Sequence, residues 1–544
     1  YSLMGSVDYR RNTNIINQYF DRFLYSNSGS LNTDLAGRFQ RDNFNIKVGV
    51  DYNLSNTSTL SYSGSYGQLS LDRNFKFSFE DLISSSNGFD KYSFTNDLND
   101  LDAKFFNSSI YFNQQFTPKV EEINFEISYT NVDLPSTQST TQYDTDIYFK
   151  PVNSTPTKKE LNNNTKRNEG RIKLNYFHTV GEKGKIEGGL QTNFFYRNYD
   201  INEQNYNYDF HQWLVNPNAS NQFDFRNNVY SAFVMYTNQL YGFDYQIGLR
   251  AEQTDRLLNQ KTLGSDYEYN KVHFFPSLNL STKITDEQQI QFGYSRRINR
   301  PFEFALNPFP NFSDSYVYSI GNPELLPELT HSLELNYQRI VTGLFISVQT
   351  YYRNSDNRIT QTITLEDNNR TKLSFGNIEK SHVYGAEISS SITLIPWLKI
   401  DPSINLFNSE ISGVFENEFR NKKMFAWSSR LNTTVSFSPN TRFQVMLNYI
   451  GKQIDLQNTV DPIVFLTMSL RQDLFDKKLS VSLIAQNLFN AGRFNLTSTG
   501  NNFNMTGKIR PEAPVLRLNL SYNFNNFKNS SKTERVDINV NEGL

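Results

Sequence analysis

Cysteine is absent from this 544-residue chain, and with it go disulfides, thiolate chemistry and sulfur-ligated metal sites. A chain without an unpaired thiol also suits export through an oxidising compartment. Histidine is sparse: His178, His211, His273, His331 and His382 are scattered, without metal-ligand spacing, and each reads as a rim or strand residue. Neither sign of charge prevails. The 53 basic and 55 acidic residues give a formal net charge of -2, which leaves no electrostatic footprint for nucleic acid. Long apolar runs are missing too; none approaches the roughly 18 consecutive residues of a membrane helix. The chain has no Gly-x-Ser-x-Gly elbow, His-Glu-x-x-His pair, P-loop or dinucleotide fingerprint, so neither an enzyme nor a cofactor is expected. Asp97, Asn99, Asp100 and Asp102 offer the hard oxygen ligands that Ca²⁺ takes, but without the Gly turn and distal Glu of a defined loop, and no metal site is expected.

Aromatic residues are abundant. The 45 Phe and 32 Tyr raise aromatic content to 15%, while hydrophobic content is 37% and mean hydropathy -0.59. Such polarity suggests disorder, yet disordered chains are poor in aromatics. Alternation resolves the conflict. Ile186, Gly188, Leu190, Thr192, Phe194 and Tyr196 alternate with Glu187, Gln191, Asn193 and Arg197, and Leu516, Leu518, Leu520, Tyr522 and Phe524 alternate with Arg517, Asn519 and Ser521. Successive strand side chains point to opposite faces, so each segment is a strand with one apolar and one polar face. In lipid, only helices and closed barrels satisfy every backbone group. The expected fold is all-β, a large antiparallel transmembrane β-barrel in contact with outer-membrane lipid. Leu190, Phe194, Leu516, Leu518 and Leu520 should face lipid, and Glu187, Gln191, Arg197, Arg517 and Asn519 the lumen.

Two kinds of connection alternate. Short polar turns are expected at 55–57, 117–119, 181–184, 241–242, 285–287, 342–343, 396–397, 438–440 and 476–478. Long Asn/Ser/Asp-rich loops are expected at 72–102, 135–168, 200–226, 300–327 and 492–511. Short turns on the periplasmic rim and long loops on the extracellular one are how bacterial outer-membrane barrels are built, and the count gives about 20 strands. The loop around 205–225 gathers Tyr206, Tyr208, Phe210, His211, Trp213, Phe223 and Phe225. Aromatic faces on an outer vestibule suit sugars, aromatic siderophores or peptides; rings packing one loop on another is the structural alternative. Tyr206, Tyr208, Phe210, His211, Trp213 and Arg300 form the candidate ligand-binding set.

Three passages carry a family resemblance. The first is Tyr294-Ser-Arg-Arg297-Ile-Asn-Arg300-Pro301, then Asn307-Pro308, then Gly321-Asn322-Pro323-Glu324-Leu-Leu-Pro327-Glu328. The second is Asn377-Ile-Glu-Lys followed by Tyr384-Gly385-Ala-Glu387, and the third is Asn487-Leu488-Phe489-Asn490. Together they resemble the barrel of TonB-dependent outer-membrane receptors, closest to Bacteroidota-type barrels. Pro301, Pro323 and Pro327 remove backbone donors and Gly321 permits a turn closed to other residues; Glu324, Glu328, Arg296, Arg297 and Arg300 are candidates for one ion-pair network.

The resemblance implies energised uptake of a siderophore, glycan or peptide across the outer membrane of a Gram-negative bacterium, with a plug domain and the TonB system as partners. It also admits a structural or accessory barrel subunit beside a surface lipoprotein or other outer-membrane subunits. Residues 1–524 are expected to form the barrel, starting near the family's third strand, with about 20 of a probable 22 strands visible. Residues 525–544 are expected to form a charged periplasmic tail behind the terminal aromatic Phe524. The run Ser2 to Arg11 should then need a partner other than the final strand, leaving a gap; direct pairing of the two would instead make a smaller, self-contained barrel.

Overall fold

The computed structural model describes residues 1–24, 29–82, 90–312, 316–366 and 370–523; Phe524 and the tail lie outside them. Each of the expected short turns sits between two paired strands. Among the described residues, nine such hairpins plus a first strand, Ser2–Leu24, and a last one, Phe503–Pro511 continued by Val515–Tyr522, make twenty staves in one sheet. Pairing between them is antiparallel throughout, and in the extracellular loop the short Val317–Ser319 strand pairs in parallel with Thr371–Leu373. The turns have local causes. Lys119, Gly181, Gly242 and Gly343 take positive φ, which tight reversals between twisted strands demand.

Alternation holds along the staves. Leu190, Phe194, Leu516, Leu518 and Leu520 are exposed, as residues on a lipid-facing surface are. Glu187 and Gln191 line a lumenal cavity, Arg197 is buried, and Val515, in phase with Arg517 and Asn519, lines another. The lumen wall is not uniformly polar, however: Leu69, Ala103, Phe105, Val132 and Leu134 pack into an apolar cluster.

Several expected loops are strands. Ser58–Leu82 pairs with Lys91–Thr117, and Glu121–Thr145 with Thr157–Val180, over most of 72–102 and 135–168. Phe494–Thr499 and Phe503–Pro511 occupy much of 492–511. A lipid-crossing strand needs about 9–11 residues, whereas Lys91–Thr117 has 27, so the hairpins stand well clear of the bilayer. There one face still buries alternate residues, Phe79, Ser93, Thr95 and Asp97 among them, but many of these are polar, and polar cross-strand pairs hold the register beside the Phe75, Phe77 and Phe79 stripe. Asp97, for example, accepts from Gln138 Nε2 at 2.8 Å and Thr140 Oγ1 at 2.7 Å. Asp102 accepts from Ser70, so strand alternation puts these two carboxylates on opposite faces.

The barrel is zipped over only part of its height. Ile16–Leu24 pairs with Phe503–Pro511. Below, among the described residues, Gly5–Ile15 has a ladder partner on one edge only, in Gly29–Asn53, and Val515–Ser521 on one edge only, in Leu479–Gln486. The ladder stops at Pro511-Glu512-Ala513-Pro514, where two prolines withdraw backbone donors.

Candidate ligand vestibule

The stave Gly184–Asn207 rises past the membrane, turns at 208–211 and returns as Gln212–Val215, placing Tyr206 opposite Trp213. Asn207 Oδ1 makes the turn by accepting from the backbone N–H groups of Asp209 and Phe210, both at 3.0 Å, a local bond Asn favours. His211 takes a positive φ of 51° there. The Tyr206 ring lies 5.4 Å from Trp213 and 5.0 Å from Tyr208, edge to face, the geometry ring quadrupoles prefer. The Tyr208 hydroxyl donates to the Pro156 carbonyl at 2.8 Å, and Lys158 Nζ sits 5.6 Å from the Tyr206 centroid. Phe210 at the tip is 70% exposed and Trp213 40%.

The structure thus joins Tyr206, Tyr208 and Trp213 in one cluster with Phe210 and His211 at its tip. Phe223 and Phe225 depart from that loop; they are fully buried in the Asn221–Leu240 stave. The neighbouring loop adds Ile147, Tyr148 and Val152, all exposed, which sequence reasoning missed. Their signal is present but weak, since three apolar side chains in a polar loop show no periodicity.

Arg300 does not join the rings. Its guanidinium donates to Glu252 at 2.6 Å and Thr254 Oγ1 at 3.1 Å on the lumen wall, and Glu252 also accepts from Arg250 at 2.6 Å. The network anticipated among Glu324, Glu328, Arg296, Arg297 and Arg300 does not form. Arg296 donates to the Phe274 carbonyl, while Arg297 and Glu328 stand in the wall opposite Thr330 and Asn299.

From Pro301 the chain folds inward as a short helix, Glu303–Leu306. Ala305 and Leu306, with Leu325, join Tyr199, Phe223, Phe225 and Leu258 of the wall in a buried cluster. Polar bonds fasten the same loop. Arg197 pairs with the Glu303 carboxylate, and Tyr199 Oη donates to it at 2.9 Å. Gln260, wholly buried, donates to Asn307 Oδ1 at 2.7 Å, and Arg256 donates to the Leu325 carbonyl at 3.2 Å. Gly321 lies so close to Asn307 that a Cβ would meet its nitrogen at 2.5 Å, so the glycine serves close approach. Asn322 N–H bonds the Ala305 carbonyl at 2.7 Å, and Pro323, Leu326 and Pro327 complete the turn. Farther along, Tyr318 donates to Glu366 at 2.6 Å, and burial together with that carboxylate pushes its phenol up to about 12.

The other motif residues are also structural. A Cβ at Gly385 would meet the Leu406 carbonyl at 2.5 Å, and Glu387 lines an inner cavity. Asn487-Leu488-Phe489-Asn490 forms a tight turn that interrupts a stave between Leu479–Gln486 and Phe494–Thr499. Asn487 Oδ1 accepts from Gly492 N–H at 2.8 Å to hold that break, with Phe489 projecting outward.

A family model described as the outer membrane protein beta-barrel family matches residues 114–522. A search of curated proteins finds no match. Solved structures share the fold. FpvA of P. aeruginosa, bound to heterologous pyoverdines, is 12% identical with a TM-score of 0.56, over 92% of this chain and 72% of that one. The copper transporter OprC is 10% identical with a TM-score of 0.55, over 92% and 81%. The ferric yersiniabactin uptake receptor FyuA from Yersinia pestis is 11% identical with a TM-score of 0.51, over 92% and 80%.

Proposed function

For a chain that belongs to the outer membrane protein β-barrel family, we propose the role of the wall of an energised uptake receptor in the outer membrane. The observation that carries this reading is the pairing of an outer aromatic hairpin, Tyr206 to Trp213, with a loop folded into the mouth beneath it. That loop is held through a buried ion pair and an apolar cluster, so it narrows the mouth and leaves the exposed rings as an outer surface that a solute meets first. The rings and the exposed Ile147, Tyr148 and Val152 capture a ligand of sugar, aromatic-chelate or peptide class from the medium. A plug domain and the TonB system supply the gate and the energy.

The test is uptake by cells producing the protein with Tyr206, Tyr208 and Trp213 replaced by Ala, against a panel of labelled siderophores, glycans and peptides. Lost uptake of one class with a barrel still heat-resistant in detergent supports capture by these rings. Uptake that persists without the TonB system overturns the energised mechanism.

A further inference from the structure

We propose that the outer wall carries a binding site for the phosphorylated sugar of an outer-leaflet glycolipid, in a hollow of about 450 Å³ beside the zipped pairing of Ile16–Leu24 with Phe503–Pro511. Register builds the hollow. Lys508, Tyr19, Asp34, Ser78 and Phe94 are successive partners across adjoining staves, and Arg510, Asn17, Ala36 and Lys76 form the row beneath. Alternation puts both rows on the face of Val7, Tyr9 and Ile15, which are exposed on the outside of the barrel. Ala36 and Ser78 are small and leave a floor, while Tyr19 and Phe94 stand as walls on either side of it.

Charge is sorted by height. The lower row holds Lys76 and Arg510, with Arg38 beneath it in register with Ile15, and Lys508 reaches over the Tyr19 ring at 5.3 Å from its centroid. The carboxylates lie above: Asp34 in the upper row, then Asp21 and Glu80 in the next, where Glu80 accepts from Asn32 Nδ2 at 3.2 Å. Arg510 is held in place by Asn495 Oδ1 at 3.1 Å, whereas neither Lys76 nor Lys508 makes an ion pair among the described residues. An anion arriving from the medium meets the acidic edge first. A glycolipid standing in the bilayer presents its phosphate to the cations and its sugar hydroxyls to the carboxylates above, while the two ring faces suit the apolar edges of a sugar. Position along the wall agrees. On Gly29–Asn53 the outward Tyr52, Val48, Ile46 and Phe44 are exposed apolar residues of the lipid-facing belt, and from Asp42 upward the outward series turns polar or small through Gln40, Arg38, Ala36 and Asp34. Arg510 precedes the lipid-facing Leu516 by six residues. The hollow therefore begins just beyond the hydrocarbon, where basic pockets take lipid head groups.

The test takes the full-length protein, stripped of lipid in detergent, and titrates it with deep-rough lipopolysaccharide before and after hydrogen fluoride has removed its phosphates. Native mass spectrometry should show the phosphorylated probe bound and the dephosphorylated one held at least about tenfold more weakly, since charge-assisted contacts are lost. Lys76→Gln with Lys508→Gln should bring the same loss, and Lys76→Arg with Lys508→Arg should keep the binding. Ala36→Trp fills the floor while sparing every cation and should abolish it. Lys104→Gln, on the outward face beside Gln68 and outside the hollow, should bind as the native protein does. Equal binding of the two probes, an equal loss in Lys104→Gln or full binding by Ala36→Trp overturns the proposal. Displacement of the probe by an equal concentration of glucose 6-phosphate overturns it as well, because the site would then serve a soluble phosphosugar. The two-probe comparison uses the unaltered protein and decides even where a variant fails to assemble.

Discussion

Asn377 grips Leu326 from both sides: its Oδ1 accepts from the Leu326 N–H at 2.7 Å and its Nδ2 donates to the Leu326 carbonyl at 2.9 Å. The same Nδ2 donates to the Asn357 carbonyl at 2.7 Å, at a residue with φ of 55°. Two motifs 51 residues apart are therefore one device, in which the Asn377 amide plays the part of a missing β-partner for the Gly321–Pro327 turn. Asn377→Ala should loosen that turn by about 1–3 kcal/mol, as two to three net hydrogen bonds are lost, while leaving the barrel assembled. Amide hydrogen exchange at Leu326 checks this; unchanged exchange would show that the apolar contacts of Leu325 suffice.

The Arg197–Glu303 pair is nearly closed to solvent, with side chains 4% and 12% exposed. Removing one partner of a buried pair strands the other, at a cost of about 3–5 kcal/mol. Glu303→Ala should release the helix from the wall and make 301–312 sensitive to protease from outside the cell. The double replacement Arg197→Met with Glu303→Leu leaves no stranded charge and should restore much of the protection. If the single and double variants are cut equally, the pair has a role other than fastening the loop.

Local chemistry made the fold legible. Turn residues at the periplasmic rim and apolar alternation within the bilayer each act over a few residues, and they located the tight turns and the twenty staves. The extracellular half differs from the expected loops because its strands bury polar side chains such as Ser93, Thr95 and Asp97, which breaks the apolar period, and their register rests on contacts such as Gln138 with Asp97, 41 residues apart. The candidate site was half legible. Tyr206, Tyr208 and Trp213 share one hairpin, so a sequence cluster became a spatial one. Glu303, Gln260 and Arg256 were invisible because each depends on a partner 47 to 106 residues away. Arg300 joins the candidate ligand set on sequence grounds because nothing near it in sequence reveals Glu252, its partner 48 residues away.

Tyr318 gives the outer loop a pH signature. Its phenol is raised from 10.0 to about 12 by burial and by Glu366, so the folded loop favours the protonated form. The contribution of this contact is complete below pH about 10 and is lost as pH rises through the folded value; neutral and acidic conditions leave the phenol unaffected. The phenolate absorbance of the native protein minus that of Tyr318→Phe should show one tyrosine titrating near pH 12. A difference titrating near 10 would mean the hydroxyl is free of Glu366.

The aromatic hairpin permits the sharpest separation of capture from stability. Tyr206 and Trp213 face each other across a four-residue strand that pairs with the Gly184–Asn207 stave, far from the bilayer-crossing part of the wall. Replacing Trp213 with Ala removes one ring contact worth about 0.5–1.5 kcal/mol beyond its area, too little to unfold a sheet of twenty staves. Heat resistance in detergent should therefore be unchanged, whereas a ligand held by ring faces should bind at least about tenfold more weakly, because 1.4 kcal/mol is a factor of ten. Trp213→Phe keeps a ring face and should recover part of the affinity, and Lys158→Met tests whether the cation that lies over Tyr206 takes part. Titration of each variant with the labelled ligand, beside its melting curve, decides the matter. Affinity that falls only when the melting curve also falls would make these rings packing between loops, and the capture surface would have to be sought on Ile147, Tyr148 and Val152.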